Sequence, residues 1–410
     1  MRERLVLLTN EYPYARGDAA FLVNEVSVLA ATFDDVVVFN YPSPGATTMI
    51  DLPPGVRFGG TLKGSPRWRP LLALLRPDVL LRLLRTLRAE QRAGRLHGRL
   101  KAEGVAALAG VKRSRDASLR RALREPGWRV TVYAFWAAGA GLAVPYLRPV
   151  EGKVALRLHR YDLYDENAGM LPLRASLFRR ADLVLPISEH GCDYLRSRHA
   201  RDLDPGKLVL SRLGTEDHGT SRRTQQGPVT LLSCSSVSEV KRVDLVRRAA
   251  VTLSRRRPVR WVHLGAGPLL DDLRDAVEAA AAPDLTVELR GQASHEEVLE
   301  FFATEPVDVF VNASSSEGVP VSIMEALSFG VPVVATDAGG TGELVGEDLG
   351  SGRLVPVDSD AETIAAALHA VIEHRDELRP RQVWARHSDA RANAARVVDL
   401  LLAHHEENHA

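Results

Sequence analysis

The chain has 410 residues, 45% hydrophobic and 26% charged, an ordinary balance for a soluble globular protein and a length that leads us to expect two domains. Two cysteines, Cys192 and Cys234, exclude a disulfide framework and show no metal-ligand spacing, which fits a reducing cytoplasm. No apolar run approaches the roughly 18 residues of a membrane span, and the opening "MRERLVLLTNEYPY" reads as a first strand instead of a secretion signal. The net charge of +1 hides an imbalance, since residues 63–129 hold 18 Lys and Arg against 5 Asp and Glu while the rest of the chain is acidic.

Taken in chain order, "RLVLLTN" (4–10) is a short apolar strand and "EYPYARGD" (11–18) a turn. "AAFLVNEVSVLAATF" (19–33) has helical periodicity, and "DVVVFNY" (35–41) completes a βαβ start. Residues 63–128 read as helical, basic and leucine-rich. Strands return at "RVTVYAF" (129–135), "KVALRLH" (153–159) and "ADLVLPIS" (181–188), the last followed by a helix carrying Gly191, Tyr194 and Leu195. The polar stretch "GTEDHGTSRRTQQGP" (214–228) lacks apolar periodicity and reads as a linker.

Beyond it the alternation restarts. Strands are expected in "VTLLSCSS" (229–236), "VRWVHLG" (259–265), "LTVELRG" (285–291), "VDVFVNAS" (307–314) and "VPVVATD" (331–337), each leading into a helix, the last of them after 341. Near-continuous apolar strands alternating with helices call for parallel sheets covered on both faces. The fold class is therefore α/β, with two Rossmann-like halves whose ligands sit at the carboxyl ends of strands.

The unusual residues fall at such an end, in "SSSEGVPVSIMEALSFGVPVVATDAGGTGELV" (314–345). Pro320 belongs in the first turn of a short helix over about 321–329, closed by Gly330. Its N-terminus offers unpaired N–H groups to a phosphate or sugar oxygen. Glu317 precedes that helix and Glu325 lies one turn inside it, so the two carboxylates can hold two parts of one extended ligand, each taking neighbouring hydroxyls. Gly339 and Gly340 after the next strand would let backbone approach the same ligand.

"EGVPVSIME" (317–325) resembles the E-x7-E motif of the retaining glycosyltransferases of family 4, and "CSSVSEVKRVDL", "HLGAGPLLDDL", "LRGQASHEEV" and "SFGVPVVATDAGGTGELV" resemble that family in order and spacing. In the first half "LHRYDLY", "ISEHGCDYL" and "RLGTED" are similar to its inter-domain pieces. The resemblance implies the GT-B fold, two facing Rossmann-like domains with an inter-domain cleft. It implies an acceptor domain over 1–214, a donor domain over 215–385, and a closing helix over 386–410 that returns to the first domain.

The resemblance also implies roles. Glu317 would hold the transferred sugar with the backbone of Gly318, Val319 and Pro320, and Glu325 the ribose. Lys241 would meet the donor diphosphate, where charge grows on the leaving group. The family's arginine in the preceding Gly-Arg is absent, its place taken by Ser236, and Arg242 stands where a glycine is usual and is expected to supply the missing cation. A basic helix start is electrostatically unfavourable unless an anion binds there. Gly265 and Gly267 belong to the donor site, Arg290 and Gln292 would border the nucleobase, and His159 would face the donor sugar unless it is a core histidine bonded to backbone. Gly17 and Asp162 fall on the acceptor side.

The expected activity is transfer of a sugar from a UDP- or GDP-sugar to a hydroxyl acceptor with retention. No metal and no further cofactor are expected, and the leaving phosphate takes the acceptor proton. A sugar-nucleotide epimerase of the same architecture and a catalytically weak membrane-associated partner protein are the alternatives. Asp358-Ser-Asp360 matches a metal-binding Asp-x-Asp but reads as a turn, and "HEENH" (405–409) matches a zinc-protease motif at a chain end that offers no third ligand. In "DVLLRLLRTLR" (78–88) Val79, Leu80, Leu83, Leu84 and Leu87 share one face with Arg82, Arg85 and Arg88 around it. That helix either packs on the core with a solvated basic side or touches anionic lipid at the inner face of the membrane, presenting a glycan, lipid-linked or small-molecule acceptor. Nucleic acid is not expected, for want of a recognition motif.

Overall fold

The computed structural model describes residues 1–15, 17–45, 48–62, 77–165, 171–280 and 282–403. They fall into two compact units, residues 1–212 with the chain from 391 onward, and residues 213–390.

In the first unit β1 (Arg2–Thr9), β2 (Asp35–Asn40), β3 (Val56–Thr61), β4 (Trp128–Ala134), β5 (Val154–Leu158) and β6 (Leu183–Pro186) form one sheet in the order β3-β2-β1-β4-β5-β6. Every pairing is parallel. Residues 4–9 of β1 are all buried, as a strand covered on both faces must be. In the second unit β7 (Val229–Cys234), β8 (Val259–Leu264), β9 (Leu285–Leu289), β10 (Val309–Asn312), β11 (Val333–Thr336) and β12 (Gly352–Val355) run in the order β12-β11-β10-β7-β8-β9, again all parallel.

Numbered within its own unit, each sheet has the order 3-2-1-4-5-6 of a doubly wound fold. Strand order reverses between β1 and β4 in one unit and between β7 and β10 in the other. At such a switch point the two adjoining loops diverge and leave a crevice beyond the strands' carboxyl ends. Both candidate sites lie there.

One edge strand per sheet carries no strand signal in the sequence. β3 contains Gly59 and Gly60 and is nowhere fully buried, and β12 spans four residues opening on a glycine. Half-covered edges lack the apolar run that marks central strands. The segment after β11 is a 3-10 turn, Gly339–Glu343, where a helix was expected. The polar tract is tied down as well, since Trp384 Nε1 donates to Thr215 Oγ1 at 3.0 Å.

Of the basic segment, residues 63–76 lie outside the described residues, as does the 405–409 motif. The remainder forms helices Pro77–Arg92, Leu100–Ser114 and Ala117–Ala122. The first presents a different face from the one its leucines suggest. Val79 and Leu83 are buried beside Thr86, Ala89 and Glu90, while Leu80, Leu81 and Leu84 are exposed. Glu90 sets this rotation, because its carboxylate accepts from Ser176 N (2.9 Å), Ser176 Oγ (2.7 Å) and Ala175 N (3.2 Å). A buried carboxylate needs such partners, so Glu90 turns inward and the leucines out. The last helix, Ala390–Leu402, joins the first unit from residue 391, where Lys153 Nζ donates to Leu400 O at 2.9 Å.

Candidate functional site

At the β7/β10 switch point, the loop after β7 carries Lys241 and the loop after β10 carries Glu317. Lys241 Nζ lies 2.6 Å from Glu317 Oε1, with the lysine side chain 26% exposed and the glutamate 7%. Asn312 Nδ2, at the end of β10, reaches the same oxygen at 3.4 Å. The ammonium has three N–H donors and Glu317 takes one, so Lys241 can hold the carboxylate and an anionic ligand together.

Several backbone contacts fix these loops. Ser315 N donates to Val240 O at 2.8 Å. Gly339 (φ +58) lies so close to Glu317 that a Cβ there would sit 2.0 Å from Glu317 O, and Gly340 N donates to Gly318 O at 2.7 Å. Gly339 therefore lets backbone approach backbone and, with the Gly340 N–H, fixes the Glu317 loop. Gly265 and Gly267 act likewise, since a Cβ would meet Ser235 O at 1.9 Å and Val237 O at 2.4 Å, respectively. Arg290 N donates to His263 O and Gly265 N to Gly291 O, which ranges residues 290–292 beside the loop after β8. The Arg290 side chain itself pairs with Glu288 and lies over the Phe301 ring, and Gln292 is exposed.

The helix after Glu317 runs Val321–Ser328 with Pro320 as its N-cap, one residue earlier than the position expected for it, because its carbonyl already accepts from Ile323 N and Met324 N. Gly318 and Pro320 are buried and Val319 half-buried. Glu325, 5% exposed, stands one turn in and accepts from His295 Nε2 at 2.8 Å. That contact, with the glutamate's charge, raises the His295 pKa above its ordinary 6.5. At the end of β7 between these groups, burial and then the Glu325 charge push the Cys234 thiol up to about 12, so it stays protonated.

Arg242, expected as a phosphate cation, spends two of its donors on backbone. It adopts φ +47, the left-handed conformation that suits a glycine, and sends Nε to Ala313 O at 2.6 Å and Nη2 to Ser314 O at 3.3 Å. Its guanidinium thus braces the β10 loop and leaves Lys241 as the cation beside Glu317. Asp360 caps the helix Ala361–Glu373 by accepting from Thr363 N at 2.8 Å, the turn role read for the 358–360 motif. Among the described residues no cluster of His, Cys, Asp or Glu is grouped to hold a metal ion.

The first unit has its own crevice at β1/β4. A pocket of about 810 Å³ is lined by Asn10, Glu11, Gly17, Asp18, Trp136 and Tyr161 among others. Asp18 shapes its floor by accepting from the backbone N–H of Asn10, Glu11 and Tyr12 at 2.6–2.9 Å. Gly17 (φ +59) is bare beside it, a Cβ there lying 2.8 Å from Glu11 Cγ. Asp162, expected on the acceptor side, is fully buried and cannot reach a ligand. Its two oxygens accept from Ala137 N and His159 N, each at 2.6 Å, and burial raises its pKa to about 6. His159 is 4% exposed, stacks on Trp136 at 4.1 Å and bonds through Nε2 to Phe135 O at 2.9 Å. Burial first, then Arg157, depress its pKa well below 6.5, so the ring is neutral and Nε2 carries the proton it donates. These contacts are those of a core histidine bonded to backbone, the alternative weighed beside a role at the donor sugar.

His295 and Asn312 were missed in the sequence. The Ser294–Glu297 capping box would have located His295 at a helix start after β9, and Asn312 is a polar residue closing a buried strand.

Residues 216–387 match the family described as glycosyl transferases group 1. WcaL of Salmonella typhimurium, assigned provisionally to colanic acid biosynthesis as a glycosyltransferase, is 32% identical over 244 residues, covering 56% of this chain and 58% of that protein. The amylovoran biosynthesis glycosyltransferase AmsK of Erwinia amylovora is 27% identical over 255 residues, 58% of this chain and 60% of AmsK. The chain thus spans about three fifths of the length of these relatives. Among solved structures, Anabaena HepE in complex with UDP and glucose superposes with a TM-score of 0.64 at 17% identity, over 98% of this chain and 100% of that one. The fold is that of the GT-B proteins.

Proposed function

We propose that this chain is a retaining, metal-independent glycosyltransferase that moves a sugar from a nucleotide-sugar donor to a hydroxyl acceptor. The observation that carries the reading is the Lys241–Glu317 pair at the β7/β10 switch point, with Glu325 one helical turn deeper. In this reading Glu317 receives sugar hydroxyls, Glu325 exchanges His295 for the ribose hydroxyls, and the free N–H groups of Lys241 receive the diphosphate. Lys241 stabilises the charge that grows as the glycosidic oxygen departs, and the leaving phosphate takes the acceptor proton. The β1/β4 pocket takes the acceptor, with Gly17 on its wall. A fold neighbour holding UDP supports a UDP-sugar donor ahead of a GDP-sugar.

The reading includes a cytoplasmic location with peripheral contact to an anionic membrane. Leu80, Leu81 and Leu84 stand exposed on a helix that also exposes Arg85 and Arg88, a pairing of apolar and basic side chains that suits a lipid surface. Among the described residues no helix is long and apolar enough to cross a membrane.

The test is calorimetric titration with UDP, GDP, ADP and dTDP in chelator, on the native chain and on Glu325→Ala. One nucleotide should bind, and the substitution should weaken it at least tenfold. Absence of binding to folded protein would sink the donor-site assignment. Turnover of the nucleotide sugar without an acceptor would point to an epimerase instead.

A further inference from the structure

A second pocket, of about 720 Å³, lies in the first unit away from the β1/β4 crevice, and its wall is dominated by arginine. Arg82, Arg115, Arg120, Arg124 and Arg148 line it, with Asp78 as the one acidic lining residue among the described residues. These arginines come from separate elements. Arg82 sits on the helix Pro77–Arg92, Arg115 caps Leu100–Ser114, Arg120 belongs to Ala117–Ala122, and Arg148 follows the 3-10 helix Gly139–Tyr146.

Two of the five have protein partners that account for them. Arg115 is paired with Asp78, and Arg82 Nη1 donates to Tyr146 O at 2.8 Å. Arg120, Arg124 and Arg148 have no ion-pair partner among the described residues, and all three are exposed. The nearest candidates are spent elsewhere, since Asp116 accepts from Ser118 N and Leu119 N, and Glu125 pairs with Arg4. A basic last turn suits the end of the helix that carries Arg120, but that end gives no reason for Arg124 and Arg148 to converge on the same cavity. Desolvation, then the charges of Arg148 and Arg120, lower the Arg124 pKa from its ordinary value, as mutual repulsion requires.

Like charges gathered without a counter-charge are unfavourable, and a bound polyanion removes the repulsion. Guanidinium groups suit one class of anion best, since their planar fork matches two oxygens of a phosphoryl group at once. We propose that Arg120, Arg124 and Arg148 form a binding site for a phosphoryl-bearing ligand, a diphosphate or phosphomonoester, separate from the nucleotide-sugar site. Such a group occurs on a soluble metabolite or at the headgroup of a lipid. The site stands independently of the glycosyltransferase reading.

The test uses the full chain with Lys241→Ala as background, so that pyrophosphate held at the candidate donor site is not counted. Pyrophosphate is titrated calorimetrically at low salt into this protein and into the same protein carrying Arg120→Gln, Arg124→Gln and Arg148→Gln. The expected result is one site whose affinity falls at least tenfold in the triple variant and falls again as salt is raised. Without ligand, the triple variant should also melt higher at low salt, because the repulsion is gone. Co-sedimentation with phosphatidylcholine vesicles containing phosphatidic acid distinguishes the sources. Loss of vesicle binding in the triple variant assigns a lipid headgroup, and unchanged vesicle behaviour alongside lost pyrophosphate binding assigns a soluble ligand. Pyrophosphate binding equal in both proteins, or absent from both, overturns the proposal.

Discussion

Removing Lys241 should harm the second unit more than removing its partner Glu317. Glu317 is 7% exposed at its side chain and, apart from Lys241 at 2.6 Å, has Asn312 Nδ2 at 3.4 Å. Breaking a fully buried ion pair costs roughly 3–5 kcal/mol, because the survivor is an uncompensated charge. Exposed pairs contribute about 0–1 kcal/mol. Lys241, 26% exposed, lies between these limits, so Lys241→Ala should cost roughly 1–3 kcal/mol, discounted for the solvent that reaches the carboxylate. Glu317→Ala leaves an ammonium that turns to water and should cost under about 1 kcal/mol. At roughly 2–4 °C per kcal/mol for a unit of this size, calorimetric scans of the full chain should show the second unit's transition lowered by about 2–12 °C for Lys241→Ala. The double variant should melt close to Glu317→Ala, since no carboxylate is then stranded. Equal losses for the two single variants, or an additive double variant, would refute the account of Lys241 as the support of a buried carboxylate.

Other outcomes can be checked with similar means. Gly339→Ala places a Cβ 2.0 Å from Glu317 O at φ +58, so it should cost roughly 2–4 kcal/mol, strain and clash together. Gly219→Ala, at φ +96 with nothing within 4 Å, should cost only the conformational part, about 1–2 kcal/mol, when both are compared by urea unfolding. The His295 pKa is raised above 6.5 by Glu325, so the pair's contribution is fully present below 6.5 and is lost as pH rises through the folded value. The stability gap between the native chain and His295→Ala should accordingly narrow as pH rises above 6.5 and through the folded value, and a gap that widens with pH would contradict the pairing. Asp162 should titrate near 6 in a carboxyl ¹³C NMR experiment. Because its folded pKa is raised from 3.8, its contribution favours the fold below 3.8 and is lost as pH rises through about 6, and a midpoint near 4 would mean the carboxyl is not desolvated.

Much was legible in the chain because burial on both faces writes itself into sequence. Central strands such as β1 and β10 are near-continuous apolar runs, and the short helix at Val321–Ser328 is bracketed by Pro320 and Gly330. Chain order alone also put Glu317 and Lys241 after strands, at the ends where a doubly wound fold collects its ligands. The edge strands β3 and β12 were not legible, since half-covered strands need no such run.

Only tertiary structure decided what the polar residues do. Arg242, read as a phosphate cation, turns in a left-handed conformation onto the carbonyls of Ala313 and Ser314. Asp162, read as facing an acceptor, is consumed by two backbone N–H groups. On the helix Pro77–Arg92 the buried hydrogen bonds of Glu90 outweighed the row of leucines and turned Leu80, Leu81 and Leu84 outward. Apolar burial is non-directional and additive along the chain, so periodicity reports it. A hydrogen bond needs one partner at one distance and angle, and that partner comes from a segment far away in the sequence, so it exists only once the fold has brought the two together.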